Sequence, residues 1–349
     1  MAAVARPGRT RESARAGGLA LAAILATLSA ATQSSADGAL TQLAGISGCV
    51  SDGGSGGNCT DGLALEGAQG LAVTKNGVNL YVAGAGSDGV AAFLRNPSTG
   101  ALTQLQGTNA CVTETGSGGL CSDGKALLGA RDLTLSANGK SLYVASPGSD
   151  AIAVFDRDPS TGNLFQLTGT GGCISETGSG GACVNGAVLD GARSLVITAD
   201  SKSMYVVSRD SDAVVAFSRD KSSGILTQLA GPGACVSENG SGGLCANGIG
   251  LDFPTSVAVT ADGRNVYVAS SGSSAVTAYA RDKSTGALTQ LAGTADCISE
   301  DGTGGQCTDG RGLLGAFAVA ASGTERTCTS PRETATRSPP SSATRPRAC

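Results

Sequence analysis

The sequence predicts an all-β protein built from repeated four-stranded units, and three observations carry that prediction. The chain of 349 residues holds 54 Gly, 3% aromatic residues and no Trp or His, which suits many thin strands. A motif close to GALTQL begins every 62 residues, at Gly38, Gly100, Gly162, Gly224 and Gly286. Between the motifs, runs rich in Val, Leu, Ile, Tyr and Thr alternate with Gly, Asp and Ser turns. Four antiparallel strands repeated at a fixed period indicate the blades of a β-propeller.

The third copy shows the predicted strands most clearly. They span 194–198, 203–208, 214–219 and 225–230, with polar turns between them. One tyrosine per copy falls in strand two and is predicted to be core: Tyr81, Tyr143, Tyr205 and Tyr267. One arginine per copy ends strand three and is predicted to pair within its own turn: Arg95, Arg157, Arg219 and Arg281. The repeat domain covers 37–323 as four full blades and part of a fifth, so the propeller is predicted to be incomplete.

The first 36 residues have the pattern of a secretory signal peptide. Four arginines precede the apolar run LALAAILATLSAA, which is shorter than the roughly 20 residues that span a bilayer. Removing residues 1–36 takes away four Arg and one Glu and moves the formal charge from -4 to -7. An acidic chain without basic clusters argues against nucleic acid as the partner. We therefore expect a secreted or cell-surface protein, periplasmic in a Gram-negative cell, with no stable membrane span after cleavage.

The tail departs from the repeat. Residues 324–349 are rich in Arg, Pro, Thr and Ser, the composition of a disordered segment. If each codon is read from the last base of one residue and the first two of the next, the tail from Thr327 can spell VYVASGDSDAVA. That string is the absent strand two, turn and start of strand three, with tyrosine at the expected position 329. We hypothesise a single-base frameshift, which makes Cys328 and Cys349 accidental.

Ten cysteines form five local pairs, each closing a loop close to CxSExGSGGxC. The pairs are Cys49 with Cys59, Cys111 with Cys121, Cys173 with Cys183, Cys235 with Cys245, and Cys297 with Cys307. Structural zinc sites use CxxC-like spacing or histidines, and redox motifs use closely spaced thiols, so neither pattern matches. The favoured interpretation is a disulfide that supports a polar loop with no core of its own, placed between strand four of one blade and strand one of the next.

Acidic residues recur in these loops and in the turns between strands two and three, which the blade topology places on one face. They form a candidate ligand or calcium face: Asp88, Asp150, Asp212, Glu114, Glu176, Glu238 and Glu300. Carboxylates in flexible loops are the ligands that Ca²⁺ prefers. No stretch matches a known calcium-loop pattern, and solvated surface carboxylates are the alternative. No metal or other cofactor is assigned.

The segment SVAVTADGRNVYVASSGSSAVTAYARDKSTGALTQL at 256–291 and its relatives resemble the secreted YVTN-repeat and lactonase-like (6-phosphogluconolactonase-type) propellers. The resemblance implies hydrolysis of a cyclic ester at the channel mouth. Such chemistry needs a base and an oxyanion stabiliser, whereas this chain lacks histidine and its copies are nearly interchangeable. No catalytic residue is therefore nominated. The main hypothesis is a binding module or surface scaffold for an unknown ligand or cell-surface partner, and the alternative is a lactonase-like hydrolase.

Overall fold

The computed structural model describes residues 41–293 and 296–321, and the all-β prediction is confirmed there, since this part contains no α-helix. The predicted signal peptide and the whole tail, residues 324–349, lie outside the described residues. The chain divides into Met1–Gln42 and Leu43–Cys349, and every element described below belongs to the second unit. None of the described segments forms a helix that is long and apolar enough to cross a membrane.

Four six-stranded sheets follow one another along the chain, after a two-stranded sheet of β1 (Val50–Asp52) and β2 (Thr60–Gly62). Sheet 1 contains β3 (Ala68–Val73), β4 (Asn79–Gly84), β5 (Gly89–Arg95), β6 (Leu102–Gln104), β7 (Cys111–Thr113) and β8 (Ser122–Asp123). Sheet 2 contains β9 (Asp132–Leu135), β10 (Ser141–Ser146), β11 (Ala151–Arg157), β12 (Leu164–Gln166), β13 (Cys173–Ser175) and β14 (Val184–Asn185). Sheet 3 contains β15 (Ala192–Ile197), β16 (Ser203–Ser208), β17 (Ala213–Arg219), β18 (Leu226–Gln228), β19 (Cys235–Ser237) and β20 (Ala246–Asn247). Sheet 4 contains β21 (Pro254–Val259), β22 (Asn265–Ser270), β23 (Ala275–Arg281), β24 (Leu288–Gln290), β25 (Cys297–Ser299) and β26 (Thr308–Asp309).

Short 3-10 helices lie in the loops between these strands. Their bounds are Ile46–Gly48, Gly53–Gly57, Gly107–Ala110, Gly116–Gly119, Pro147–Ser149, Gly169–Gly172, Gly178–Gly181, Pro232–Ala234, Gly240–Gly243 and Gly302–Gly305. In each cysteine loop a Ser or Thr adopts positive φ, as Ser179 does at 47°. That conformation is costly for a residue with a side chain, so the loops depend on the structure around them.

Each sheet has an antiparallel meander at its centre. In sheet 3, β16 pairs with β15 on one side and with β17 on the other, Tyr205 lying opposite Val196 and Ala216. The alternation of Val, Tyr and Ala in these strands suits a strand with both faces covered. The inner strands β3, β9, β15 and β21 are successive neighbours, giving a propeller-like arrangement in which they line one axis.

The fourth strand differs from the prediction. The expected single outer strand is divided into two pieces that pair with different parts of strand three. In sheet 3, β18 pairs with the end of β17, Phe217 opposite Gln228, and β19 pairs with its start, Val215 opposite Cys235. The cysteine loop then adds β20, which runs parallel to β19. The cysteine loop is therefore the outer edge of a sheet and not a free connection between sheets.

The core is divided into layers between neighbouring sheets. Tyr81, Ala83 and Val90 of sheet 1 pack against a layer of sheet 2 that includes Leu142 and Phe155. Sheets 2 and 3 repeat this layer around Tyr143 and Phe217, and sheets 3 and 4 repeat it around Tyr205 and Tyr279. The prediction that the recurrent tyrosines are core residues holds for the three that lie between two sheets, each fully buried.

Three of the recurrent arginines, Arg157, Arg219 and Arg281, cross to the preceding sheet, so the prediction that they pair only within their own turn is wrong for them. Arg95 pairs within its own turn, as predicted. Arg157 of sheet 2 donates from Nη1 to the carbonyl of Gly139 in its own turn (2.9 Å). Its Nε donates to the Tyr81 hydroxyl (2.6 Å) and its Nη2 to Asn79 Oδ1 (2.6 Å), both in sheet 1. The Tyr81 hydroxyl in turn donates to the carbonyl of Gly162 in sheet 2 (2.7 Å). A turn carbonyl does not satisfy a whole guanidinium, and the buried tyrosine supplies the acceptor that remains.

Five disulfides close the cysteine loops with the local pairing that the sequence indicates. The expectation that these loops stand without a core is wrong for the cysteines themselves. Cys173 and Cys183 are buried against Ala126 and Ala151, while Cys235 and Cys245 belong to the layer between sheets 2 and 3. The four disulfides of sheets 1 to 4 therefore lie at the two short strands that edge a sheet, and they pack as apolar groups.

We expect the double variant Cys173→Ser, Cys183→Ser to lose about 3 kcal/mol of unfolding free energy. Two effects add, namely the freed ring of the unfolded chain and two hydroxyls in an apolar site. Urea unfolding of the oxidised protein measures the loss. The control is Cys49→Ser, Cys59→Ser, whose loop lies at the exposed start of the described region, where Cys49 is half-buried. Equal losses in both pairs would contradict a packing role for the buried disulfide.

Candidate functional site

The aspartates of the predicted acidic face lie at junctions between sheets. Asp88 Oδ1 accepts the backbone N–H of Gly129 (2.6 Å), and Asp150 Oδ1 accepts that of Gly191 (2.8 Å). Asp212 repeats the contact with Phe253 (2.8 Å), and Ser274 replaces the carboxylate in the fourth copy, accepting from Gly315 (3.1 Å). Each of these side chains ties the turn of one sheet to the segment entering the next.

The glutamates of the cysteine loops hold the same entering segments. Glu114 Oε2 accepts the backbone N–H of Leu127 (2.6 Å), and Glu238 and Glu300 accept those of Leu251 and Leu313 (both 2.5 Å). Glu176 accepts from Leu189 in the same way. The backbone N–H of Glu114 also donates to the Asp88 carbonyl (2.9 Å), so the two sets of acids do lie side by side.

These contacts give the acidic face a structural use. Within 41–293 and 296–321, no group of three or more His, Cys, Asp or Glu side chains is arranged to hold a metal ion. One carboxylate oxygen of each named acid is already occupied by a backbone N–H, which satisfies a donor of the chain itself. The calcium hypothesis stays a prediction.

A different site opens where the inner strands converge on the axis. A cavity of about 270 Å³ is lined by residues that enter in pairs from each sheet and from the segment after sheet 4. Its lining consists of Gln69, Gly70, Arg131, Asp132, Arg193, Ser194, Thr255, Ser256, Phe317 and Ala318. We call it the axial cavity. It has room for a small organic molecule, at the lower end of the range of ligand pockets.

The axial cavity is the place where the repeat is broken. At one repeat position the successive copies carry Gln69, Arg131, Arg193, Thr255 and Phe317. At the next position they carry Gly70, Asp132, Ser194, Ser256 and Ala318. A second cavity of about 600 Å³, at the other ends of the inner strands, is lined by near-equivalents such as Thr74 with Ser136 and Asn76 with Asn138. Unlike groups that converge on one point are what a single ligand or reaction requires, so the axial cavity is the better candidate.

Two arginines give the axial cavity its positive charge. The Arg193 and Arg131 guanidinium carbons lie 5.2 and 5.9 Å from the centre of the Phe317 ring. The described ion pairs are Arg209 with Asp210 and Arg264 with Asp262, so neither cavity arginine forms one within the described ranges. Burial, together with the charges of Arg131 and Arg209, lowers the pKa of Arg193 to about 10.

The Arg193 side chain also has an unused donor. Its Nε is buried and has no hydrogen-bond partner among the described residues. A buried N–H without an acceptor is costly, and so are two neighbouring guanidinium groups of like charge. An anionic oxygen in the axial cavity would relieve both costs, because it would accept the Nε hydrogen and neutralise the pair.

Asp132 is the acidic group of the axial cavity. Its Oδ2 accepts the Ser194 hydroxyl (2.8 Å) and the Leu195 backbone N–H (3.1 Å), and its Oδ1 accepts its neighbour's N–H at Leu133 (2.9 Å). Burial raises the pKa of Asp132, and these hydrogen bonds and the Arg131 charge only partly oppose the rise. The carboxylate is therefore fixed in position and more basic than an ordinary aspartate.

Gly70 gives the Asp132 backbone room to approach the neighbouring strand. A Cβ at Gly70 would lie 2.7 Å from both the Arg131 carbonyl and the Asp132 Cα, closer than atoms pack. No side chain fits at this position, so β3 and β9 meet there at their closest. The arginine, the aspartate and the glycine that admits them are parts of one local arrangement.

Comparisons with known proteins return solved structures only, since no protein-family model and no curated protein matches the chain. The periplasmic gluconolactonase of Pseudomonas aeruginosa is 23% identical with a TM-score of 0.46, over 63% of this chain and 52% of its own. A protein assigned as a 6-phosphogluconolactonase from Bacteroides uniformis is 18% identical with a TM-score of 0.46, over 64% of this chain and 52% of its own. A protein from Lactobacillus plantarum is 23% identical with a TM-score of 0.47, over 64% of this chain and 54% of its own. The chain thus spans about half the length of the solved structures to which it is similar.

No catalytic residue is nominated from the sequence alone, and the residues of the axial cavity are not singled out there. Most strand and loop positions carry nearly the same residue in every copy, because those residues pack or bond between sheets. The signal lies in a column of the repeat alignment at the start of strand one, where Gln, Arg, Arg, Thr and Phe succeed one another. Chemically unlike residues at one repeat position could have identified the site before the structure did.

Proposed function

We propose that the chain is a propeller-like hydrolase that binds a small cyclic ester with an anionic substituent in the axial cavity and opens its ring. One observation supports this above others: a basic carboxylate and two arginines without carboxylate partners meet at the place where the repeat is broken. The Asp132 carboxylate supplies a base in a chain that has no histidine. The arginines supply the positive charge that an ester oxygen needs as it becomes an oxyanion.

In the proposed reaction, Asp132 accepts a proton from a water molecule, and the resulting hydroxide attacks the ester carbonyl. The carbonyl oxygen becomes negatively charged, and the Arg193 guanidinium, with its free Nε–H, stabilises it. The carbon–oxygen bond of the ring then breaks, and the departing oxygen takes the proton that Asp132 holds. Water and lactone become a hydroxy acid, and the carboxylate returns to its starting state. Arg131 binds the anionic substituent of the substrate.

The proposal extends to the architecture and location of the protein. Four sheets and the segment 311–321 form part of a propeller whose inner strands surround the cavity. The signal peptide directs the chain out of the cytoplasm into an oxidising compartment, and the disulfides form there. The five disulfides are compatible with an extracellular or periplasmic location.

A binding module or surface scaffold without turnover is the second candidate. Its support is the regularity of the outer edge, where five disulfide-closed loops of nearly the same sequence are displayed with exposed tips such as Leu120 and Leu244. In that case the arginines hold an organic anion, and Asp132 keeps the inner strands together. Both candidates predict binding in the axial cavity, and they differ in turnover.

The test uses the purified full chain with three lactones: 6-phosphogluconolactone, glucono-δ-lactone and uncharged γ-butyrolactone. Acid release is measured by pH-stat titration, and the rate of spontaneous hydrolysis is subtracted. We expect the remaining rate to be highest with the phosphorylated lactone. Calorimetry with 6-phosphogluconate should detect binding, at least tenfold weaker in Arg131→Gln and unchanged in Arg264→Gln, an exposed arginine. Binding without turnover would favour the scaffold, and the absence of both would exclude the axial cavity as the functional site.

A further inference from the structure

The last sheet ends on a face that resembles the three occupied junctions. At those junctions the side of a sheet that meets the next one carries a fully buried tyrosine, namely Tyr81, Tyr143 or Tyr205. The equivalent side of sheet 4 carries Tyr267, Val276 and Ala278, each half-buried. We call Asn265, Tyr267, Val276 and Ala278 the open face of sheet 4. It has the composition of a junction without the covering of one.

The hydrogen bonds at the three occupied junctions join residues at the same separations in the sequence. At each junction the arginine lies 76 residues after the tyrosine, and its Nε donates to the tyrosine hydroxyl. The Nη2 of the same arginine donates to a side chain that lies 78 residues before the arginine. The tyrosine hydroxyl donates to a glycine carbonyl 81 residues further on. If the same separations are counted from Asn265 and Tyr267, the donor arginine would stand at position 343 and the acceptor glycine at position 348.

Sheet 4 presents the acceptors for such an arginine in the same arrangement as sheet 1. Asn79 donates from Nδ2 to the Phe93 carbonyl (3.4 Å), which leaves its Oδ1 turned to Arg157. Asn265 donates from Nδ2 to the Tyr279 carbonyl (3.3 Å), the equivalent bond. Within the described ranges no arginine reaches Asn265 or Tyr267. The acceptors are therefore in place while their donor is not.

The innermost position beside sheet 4 is already filled. Thr255 Oγ1 donates to the Ala316 carbonyl (3.1 Å), and the Val319 backbone N–H donates to Ser256 Oγ (3.2 Å). The second contact repeats the one by which Leu195 N–H reaches Asp132 between sheets 2 and 3. The segment 315–319 thus stands where a fifth inner strand would lie. Among residues 41–293 and 296–321, no hairpin of strands two and three lies against the open face.

The tail can encode that hairpin in its neighbouring reading frame. Read from the last base of each codon and the first two of the next, residues 326 to 348 can spell NVYVASGDSDAVAAFLRDPSTG, continuing the repeat through the end of strand three. The shifted frame places tyrosine at position 329, arginine at 343 and glycine at 348. The synonymous codons are those that continue the repeat, and the positions they give match the offsets of the occupied junctions.

We propose that the open face of sheet 4 binds a β-hairpin of the repeat's own strand-two and strand-three type, and that the shifted frame of the tail encodes this partner. The arginine of the hairpin donates from Nε to the Tyr267 hydroxyl and from Nη2 to Asn265 Oδ1. The tyrosine hydroxyl donates to the hairpin's last glycine carbonyl. Val276 and Ala278 are covered by the apolar side of the hairpin, as Val90 and Ala92 are covered in sheet 1.

The first test adds a labelled synthetic peptide, NVYVASGDSDAVAAFLRDPSTG, to the purified full chain and follows fluorescence anisotropy. We expect saturable binding that weakens at least tenfold when the peptide arginine is changed to glutamine. Tyr267→Phe in the protein should weaken binding similarly, because the hydroxyl accepts the arginine hydrogen. The matched control is Tyr279→Phe, which removes a buried hydroxyl from the opposite side of the same sheet.

A second test avoids self-association of the peptide. A full chain whose gene is shifted by one base before codon 324 carries the hairpin covalently, and its Tm should exceed that of the original chain. Changing its restored arginine to glutamine should remove most of the gain. An unchanged Tm, or binding indifferent to both the arginine and Tyr267, would overturn the proposal. The chain could also dimerise through the open face. If that dimer persisted in Tyr267→Phe and the peptide did not dissociate it, the hairpin proposal would be overturned and a second copy would be the occupant.

Discussion

Replacing Arg157 with methionine should lower the unfolding free energy by about 3 kcal/mol, because it leaves buried hydrogen-bond acceptors without their donor. The guanidinium is 4% exposed and donates to Tyr81, Asn79 and the Gly139 carbonyl. Methionine fills a similar volume but donates nothing, so three acceptors between the sheets lose their partner. Urea unfolding, followed by circular dichroism, measures the change.

Arg95→Met is the matched control, because Arg95 holds the same repeat position in sheet 1. Its described hydrogen bond is the local one, from Nη1 to the Gly77 carbonyl (3.0 Å), and its side chain is half-buried. We expect its loss to stay below about 1 kcal/mol. If both variants lost the same stability, the bonds from Arg157 to the preceding sheet would contribute nothing beyond the turn contact, and the account of the junctions would fail.

The repeat made most of the fold predictable. Strand two of the third copy was expected at 203–208 and lies at Ser203–Ser208, because its Val and Tyr residues form a pattern that turn residues bound on both sides. The division of strand four was not predictable in this way. Its second piece begins at Cys235, inside a motif whose Gly and Ser content indicates a loop, and only pairing with Val215 makes it a strand. Long-range pairing of that kind leaves no local signal.

The candidate site shows the opposite relation between sequence and structure. The acids that attract attention as a recurrent set are the ones the fold itself uses, such as Asp150 for the Gly191 backbone. A residue repeated once per sheet has the same environment in every sheet, so its role is shared packing or bonding. Arg193 and Asp132 occur at positions that vary between copies, and only the convergence of the inner strands shows that they lie together. Variation within a repeat is thus more informative about chemistry than recurrence.

Asp132→Asn should lower the rate of lactone opening by about 10² to 10⁴-fold while leaving binding of the anionic product within a few-fold. The amide cannot accept a proton from water, whereas the arginines that bind the anion are untouched. The effect should therefore appear in kcat and not in the dissociation constant for 6-phosphogluconate. Asp156→Asn, an exposed aspartate of sheet 2, is the control and should change neither. A variant with full turnover would exclude Asp132 as the base.

The pH dependence separates a catalytic Asp132 from a structural one. A base acts in its ionised form, so the rate should rise with pH through the pKa of Asp132, which burial holds above the ordinary aspartate value.

Stability should move in the opposite direction, because a raised pKa in the folded state favours the protonated carboxyl. The unfolding free energy then falls as pH rises from the ordinary value through the raised one, and Asp132→Asn should flatten that fall. Burial also raises the pKa of Asp190 and Asp212, so the contribution of Asp132 is the difference between the curves of the original chain and of Asp132→Asn. A rate that rises while stability falls over the same pH interval would identify one group behind both, and a rate independent of pH there would leave Asp132 with its hydrogen bonds to Ser194 and Leu195 as its whole role.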